Sequence, residues 1–70
     1  MNKDWEKIFA SNDRFKAELL KAMLVNYNID CVIVNRQDSS YLAFGDIELY
    51  VRREDVLRSL NLIRKYEEVE

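Results

Sequence analysis

Residues 35–51 read NRQDSSYLAFGDIELYV, and this stretch decides the fold of the chain. Residues 46–52 alternate between an apolar set, Ile47, Leu49 and Val51, and a second set, Glu48, Tyr50 and Arg52. Such period-two alternation predicts a strand with one buried face. The residues before it contain turn formers and the chain's only glycine, Gly45. They predict a hairpin connection that leads into the strand or, as the alternative, a loop that contacts a partner.

Four more elements follow from the hydrophobic pattern on either side of this strand. Residues 4–10 and 29–35 are predicted strands, and residues 13–26 and 53–66 are predicted helices. In the first strand the alternation places Glu6, Ile8 and Ala10 on one face and Trp5, Lys7 and Phe9 on the other. The apolar stripe of the last helix is predicted to consist of Val56, Leu57, Leu60 and Ile63.

The order β-α-β-β-α predicts an α+β fold. A right-handed β-α-β crossover followed by a hairpin places the third strand between the other two, with both helices on one face. This is a ferredoxin-like split β-α-β sandwich without its fourth strand, formed by the whole of residues 1–70 as one domain. The three-stranded antiparallel sheet should therefore have an uncovered face and a free edge at the first strand, and free edges are pairing sites.

Composition limits the chemistry that the chain can perform. The single cysteine, Cys31, excludes an internal disulfide, and without histidine one thiol cannot build a tetrahedral zinc site. With no histidine as general base and no metal cluster, we expect no catalytic residues and no cofactor. A buried, inert thiol is the expectation for Cys31 among its β-branched neighbours.

Charge and hydropathy limit the partners. The net charge is −2, so no basic field attracts nucleic acid or anionic lipid. The first ten residues lack the apolar core of a signal peptide, and no apolar run approaches the ~20 residues that span a bilayer. We therefore expect a cytoplasmic protein with no membrane and no nucleic-acid partner.

Several segments resemble a family of small bacterial domains of unknown function that is named "putative prokaryotic signal transducing protein". The similar segments are KAELLKAML in the first helix, NIDCVIVN in the second strand and GDIELYV in the third. The resemblance spans residues 8–63 and implies a ferredoxin-like fold with a regulatory role, but no catalytic motif. One departure is visible, since residues 52–55 read RRED where many members have a proline that opens the last helix.

The uncovered sheet face is the first candidate site. If the apolar set of the third strand faces the helices, Trp5, Phe9 and Tyr50 face outward, and grouped exposed aromatics mark interaction surfaces. We expect a second copy of the chain, as a dimer, or another protein to cover this face. The alternative is that these aromatics are scattered and partly covered by the loop and the N-terminus. RNA is disfavoured, because the third strand lacks the basic-aromatic motif of RNA-recognition folds and carries Glu48.

The second candidate is a small-metabolite sensor with its ligand at a subunit interface. Its contacts are predicted to come from the loop and the following strand end, namely Asp38, Ser39, Ser40, Tyr41, Arg52 and Arg53. The alternative is that both arginines belong to a solvated helix start, because Glu54 and Asp55 follow them directly.

Overall fold

The computed structural model describes residues 4–35 and 47–69. The elements are β1 (Trp5–Ser11), α1 (Arg14–Asn26), β2 (Cys31–Asn35), β3 (Ile47–Arg52), a 3-10 turn (Arg53–Asp55) and α2 (Val56–Val69). They confirm the predicted α+β order, β-α-β-β-α. The sheet is antiparallel with the strand order β1-β3-β2, so the strand predicted from residues 46–52 lies in its centre.

The core lies between one face of this sheet and the two helices. From β3 come Ile47, Leu49 and Val51, all fully buried as their alternation predicts. They pack in one cluster with Ala17, Leu20 and Leu24 of α1, Ile63 of α2, and Ile29 and Cys31. Both helices therefore cover the same face of the sheet, and its other face carries the second set of β3 side chains.

Polar residues define both ends of α1. The Asp13 side chain accepts a hydrogen bond from the Lys16 amide at 3.1 Å, and the Ser11 hydroxyl accepts one from the Asp13 amide at 2.9 Å. At the other end Asn28 has a φ of 64°, a left-handed conformation that asparagine tolerates better than most residues. The Ile29 amide then donates to the Leu24 carbonyl oxygen at 3.0 Å, which closes the helix and redirects the chain into β2.

A β-bulge in β1 overturns one predicted orientation. Lys7 pairs with Tyr50, but Phe9 pairs with Leu49, so Ile8 is an extra residue between these two pairs. The extra residue reverses the alternation after Lys7. The prediction that Phe9 lies on the uncovered face is therefore wrong. Phe9 packs against the core cluster, and the Lys16 ammonium lies 6.0 Å from its ring centroid.

The buried stripe of α2 also differs from the prediction. Leu57 is 83% exposed and Leu60 is 43% exposed, whereas Val56, Leu62 and Tyr66 pack against the core. Ser59, a small polar residue, is the fully buried position of this helix where the pattern predicted leucine. At 100° per residue, the line from Val56 through Ser59 to Ile63 faces the sheet, Leu60 lies on its flank, and Leu57 points away from the sheet.

Replacing Ser59 with alanine is expected to leave the free energy of unfolding unchanged or to raise it by up to about 1 kcal/mol. The Ser59 hydroxyl is fully buried, and no described residue is its hydrogen-bond partner. Removing it therefore removes a desolvation cost without breaking a contact. Urea unfolding of the wild type and the S59A variant measures the difference. A loss of stability above about 1 kcal/mol would reveal a hydrogen bond at this hydroxyl.

Candidate functional site

The side chains that point away from the helices form one continuous surface, here called the open face. Paired residues in an antiparallel ladder point to the same side of the sheet, so the pairing of β1 and β2 with β3 assigns each of them. The open face consists of Trp5, Lys7 and Ala10 of β1, Glu48, Tyr50 and Arg52 of β3, and Val32 and Val34 of β2. It thus brings together two of the three aromatics predicted there, Trp5 and Tyr50.

The centre of the open face holds a paired polar group. The Tyr50 hydroxyl donates a hydrogen bond to Oε1 of Glu48 at 3.0 Å, and Lys7 Nζ lies 3.7 Å from Oε2 of the same carboxylate. The Glu48 side chain is only 12% exposed, so this carboxylate is compensated within the face. The hydrogen-bonding capacity of Tyr50 and Glu48 is therefore engaged before any partner arrives.

One end of the open face carries three side chains in contact, from β1, from β3 and from Asp30, the residue just before β2. The Arg52 guanidinium stacks 5.0 Å from the ring centroid of Trp5, and its Nε lies 3.3 Å from Oδ2 of Asp30. Beside it is a cleft of about 580 Å³, lined by Trp5, Val25, Asn28, Ile29, Asp30, Cys31, Val32 and Arg52. This cleft has a mixed lining, with an aromatic ring, an ion pair and aliphatic side chains.

The structure does not bring Arg52 and Arg53 to a common site. Arg52 lies on the open face, whereas Arg53 Nε contacts Oε2 of Glu6 at 3.2 Å. Glu6 pairs with Val51, which belongs to the side of the sheet that carries the helices. Each guanidinium therefore has a carboxylate partner, on opposite sides of the sheet. The predicted loop contacts, Asp38, Ser39, Ser40 and Tyr41, lie outside the described residues.

The sequence did not identify the contribution of β2 to the open face. Residues 31–34 read CVIV, an uninterrupted apolar run that hides which alternate set points outward. The register settles the question, because Val32 pairs with Tyr50 and Val34 with Glu48. Val32 is 36% exposed and adds aliphatic surface beside the tyrosine.

Cys31 lies on the helix side of β2 and is buried, as expected. Burial raises the pKa of its thiol from the ordinary 9.0 to about 11, although the nearby charge of Lys21 opposes the increase. The thiol is therefore protonated at neutral pH, which is the state that does not act as a nucleophile.

The helix layer exposes apolar side chains as well, but they are arranged differently. Phe15 is 74% exposed beside Leu19, which is 40% exposed, and Arg14 and Glu18 border this pair. Leu57 is 83% exposed beside Leu60, which is 43% exposed, and Arg64 borders that pair. Each pair belongs to a single helix. On the open face, neighbouring strands instead place aromatic and aliphatic side chains directly side by side.

Within residues 4–35 and 47–69 no three His, Cys, Asp or Glu side chains come together as metal ligands. No helix of the same ranges is long and apolar enough to cross a membrane.

Comparison with known proteins gives one match. A family model described as "Putative prokaryotic signal transducing protein" matches residues 5–67, which is most of the chain. No curated protein and no solved structure matches it.

Proposed function

The chain belongs to the family of putative prokaryotic signal transducing proteins, and on that premise we propose that it is a non-enzymatic regulatory module that binds a protein surface through its open face. One observation carries the proposal: a sheet face with contiguous apolar side chains is uncovered by the described residues, and its polar groups are already paired. On this proposal, the surface that covers it belongs to another protein or to a second copy of the chain.

The pairing within the open face lowers the cost of covering it. Burying an unpaired charge or hydroxyl costs several kcal/mol, so exposed polar groups usually oppose association. Here the Tyr50 hydroxyl and the Lys7 ammonium both contact Glu48, and Arg52 contacts Asp30. A partner can therefore exclude water from Trp5 and Tyr50, side chains of the type that dominates binding energies at interfaces, without leaving those groups unsatisfied.

The chemistry of the chain supports binding rather than catalysis. The sequence contains no histidine, and its only thiol is buried and held protonated. A histidine base and a reactive thiolate are two of the commonest catalytic groups, and neither is offered by these residues.

Trp5→Ala and Tyr50→Ala are each expected to weaken capture of a partner from a lysate of the source organism by about tenfold or more. Both substitutions remove apolar area from the open face while the β3 core residues stay in place. The immobilised wild type and variants are compared by the amount of the same protein that each retains. Leu57→Ala is the matched control, because Leu57 is the more exposed side chain and lies on the opposite layer. Capture that is lost in L57A and kept in both open-face variants would assign binding to the helix layer.

A small-ligand sensor is the second candidate, and the cleft beside Trp5 and Arg52 favours it. Its volume, about 580 Å³, lies in the range of small-molecule sites, and its lining combines an aromatic ring with an ion pair. A ligand that binds only the folded state raises the melting temperature. We expect a thermal-shift screen of nucleotides, amino acids and polyphosphates to be flat for the protein-binding module. A positive shift that Arg52→Gln abolishes would favour the sensor.

A further inference from the structure

The two outer strands of the sheet differ in how they are protected against pairing. Exposed edge strands are pairing sites unless a bulge, charged side chains or proline blocks them. β1 has two such devices, the bulge at Ile8 and the charged pair Glu6 and Lys7. β2, by contrast, reads CVIVN, with neither a charge nor a proline, and its five residues pair with β3 without a register shift. No described strand lies on its outer edge.

We propose that two copies of the chain pair along β2, antiparallel to each other across a two-fold axis at Ile33. The two three-stranded sheets then form one six-stranded sheet. This goes beyond the proposed function, because it uses a different surface and commits to a second copy as its occupant. It also differs from the sequence-based expectation that the edge of the first strand is a pairing site.

The strand is self-complementary in this register. Ile33 meets Ile33 of the partner subunit, Val32 meets the second copy's residue 34, and Cys31 meets its residue 35. No two like charges face each other, because no residue of Cys31–Asn35 is charged. The two-fold axis repeats each of these pairs. The contact therefore contains two valine–valine pairs and two pairs of a cysteine thiol with an asparagine amide, on either side of the central isoleucine pair.

Apolar surface beside the edge enlarges the contact beyond the strand itself. In an antiparallel pair the end of the second copy's β2 runs toward the start of this one, where the cleft begins. Val25 of α1 is 51% exposed there and lines the cleft together with Ile29 and Val32. Ile29 is already buried, so covering Val25 and Val32 supplies the apolar burial that backbone hydrogen bonds alone do not provide.

An engineered disulfide tests both the contact and its register. Asn35→Cys places a new thiol opposite Cys31 of the second copy, at a cross-strand Cα separation of about 5 Å that suits a disulfide. Within one chain, positions 31 and 35 of a strand are about 13 Å apart and cannot be bridged. The oxidation is run at pH 9.5 for every variant, because a few per cent of the Cys31 thiols is then ionised, given their pKa of about 11. In this step two thiols lose two electrons and two protons to an added oxidant, copper phenanthroline, and one S–S bond forms between the chains. We expect dimers resistant to detergent that disappear on reduction.

Lys7→Cys is the matched control, because it places a thiol on the exposed β1 edge. The proposal requires that N35C form covalent dimers at least about tenfold faster than K7C or the wild type, as expected for thiols held in bonding distance. Equal rates in N35C and the wild type, or faster dimerisation of K7C, would overturn it.

A pair of charge variants provides a second readout that does not depend on thiol chemistry. Val32→Lys combined with Val34→Lys places lysine opposite lysine in both symmetric pairs, whereas Val32→Glu combined with Val34→Lys places glutamate opposite lysine.

Light scattering over a hundredfold concentration range should show the wild-type mass rising from 8.4 kDa toward twice that value. We expect the double-lysine variant to dimerise at least about tenfold more weakly and the glutamate–lysine variant to retain dimers. A wild type that stays at 8.4 kDa throughout would contradict the proposal. The Tyr50→Ala variant should dimerise like the wild type, because Tyr50 lies on the central strand β3 and not at the outer edge of β2, and this separates strand pairing from occupation of the open face.

Discussion

Leu49→Ala is expected to lower the free energy of unfolding by about 3 to 4 kcal/mol, the cost of a cavity in a well-packed core. Leu49 is fully buried in the central strand, and its ladder partners are Phe9 of β1 and Ile33 of β2. A domain of this size has a total stability of roughly 4 to 10 kcal/mol. The substitution should therefore remove a large share of it, which urea unfolding followed by circular dichroism measures.

Leu57→Ala is the matched control for this core substitution. It deletes the same atoms from a side chain that is 83% exposed, so the expected change is within about 0.5 kcal/mol. Equal losses in L49A and L57A would contradict the assignment of the core to the helix side of the sheet.

The second large effect is a loss of stability at high pH that depends on Cys31. The thiol pKa is raised from 9.0 to about 11 in the folded state, so the folded protein keeps the proton that the unfolded chain releases. This preference stabilises the fold fully below pH 9 and is lost as the pH rises through 11. A difference of this size corresponds to about 3 kcal/mol.

Urea unfolding of the wild type and Cys31→Ala between pH 8 and pH 11 measures this contribution. Lysines and tyrosines titrate in the same range, but they are common to both proteins, and their effect cancels in the difference. We expect the wild type to lose about 2 to 3 kcal/mol more than C31A over this range. Parallel pH profiles would show that the thiol is as easily ionised in the folded state as in the unfolded chain.

The fold was predictable because its signals are local and periodic. The alternation of Ile47, Leu49 and Val51 predicted β3 as a strand with one buried face, and the order β-α-β-β-α with a right-handed crossover placed it in the centre of the sheet. Asp13 and Asn28 act at the two ends of α1, close to the bounds at residues 13 and 26 that the hydrophobic pattern predicted.

The wrong predictions for β1 and α2 concern features that the spacing of apolar residues along the sequence cannot encode. The bulge at Ile8 depends on how β1 pairs with β3, and the residues Lys7-Ile8-Phe9 look the same with or without it. As a result, the open face contains Ala10 where Phe9 was predicted. In α2 the buried stripe was predicted to include Leu57 and Leu60. The fully buried position is instead Ser59, whose small side chain suits a helix packed closely on the sheet.

The candidate site was predictable in part. Trp5 and Tyr50 follow directly from alternation, and their placement on one face is confirmed by the register. The ion pairs of Arg52 with Asp30 and of Arg53 with Glu6 join residues 22 and 47 positions apart, and sequence spacing cannot reveal such contacts. The contacts predicted for Asp38 to Tyr41 stay predictions.

Quenching of Trp5 fluorescence by acrylamide tests the central claim most directly, because Trp5 is the chain's only tryptophan and lies on the open face. The quenching constant is measured on the domain alone and in complex with a captured partner, with complex formation verified by mass. If the open face is the binding surface, we expect binding to shift the Trp5 emission to shorter wavelength. We also expect it to lower the quenching constant at least about twofold, since interface cores exclude water. An unchanged constant in a complex of verified mass would contradict the claim that the open face is the binding surface.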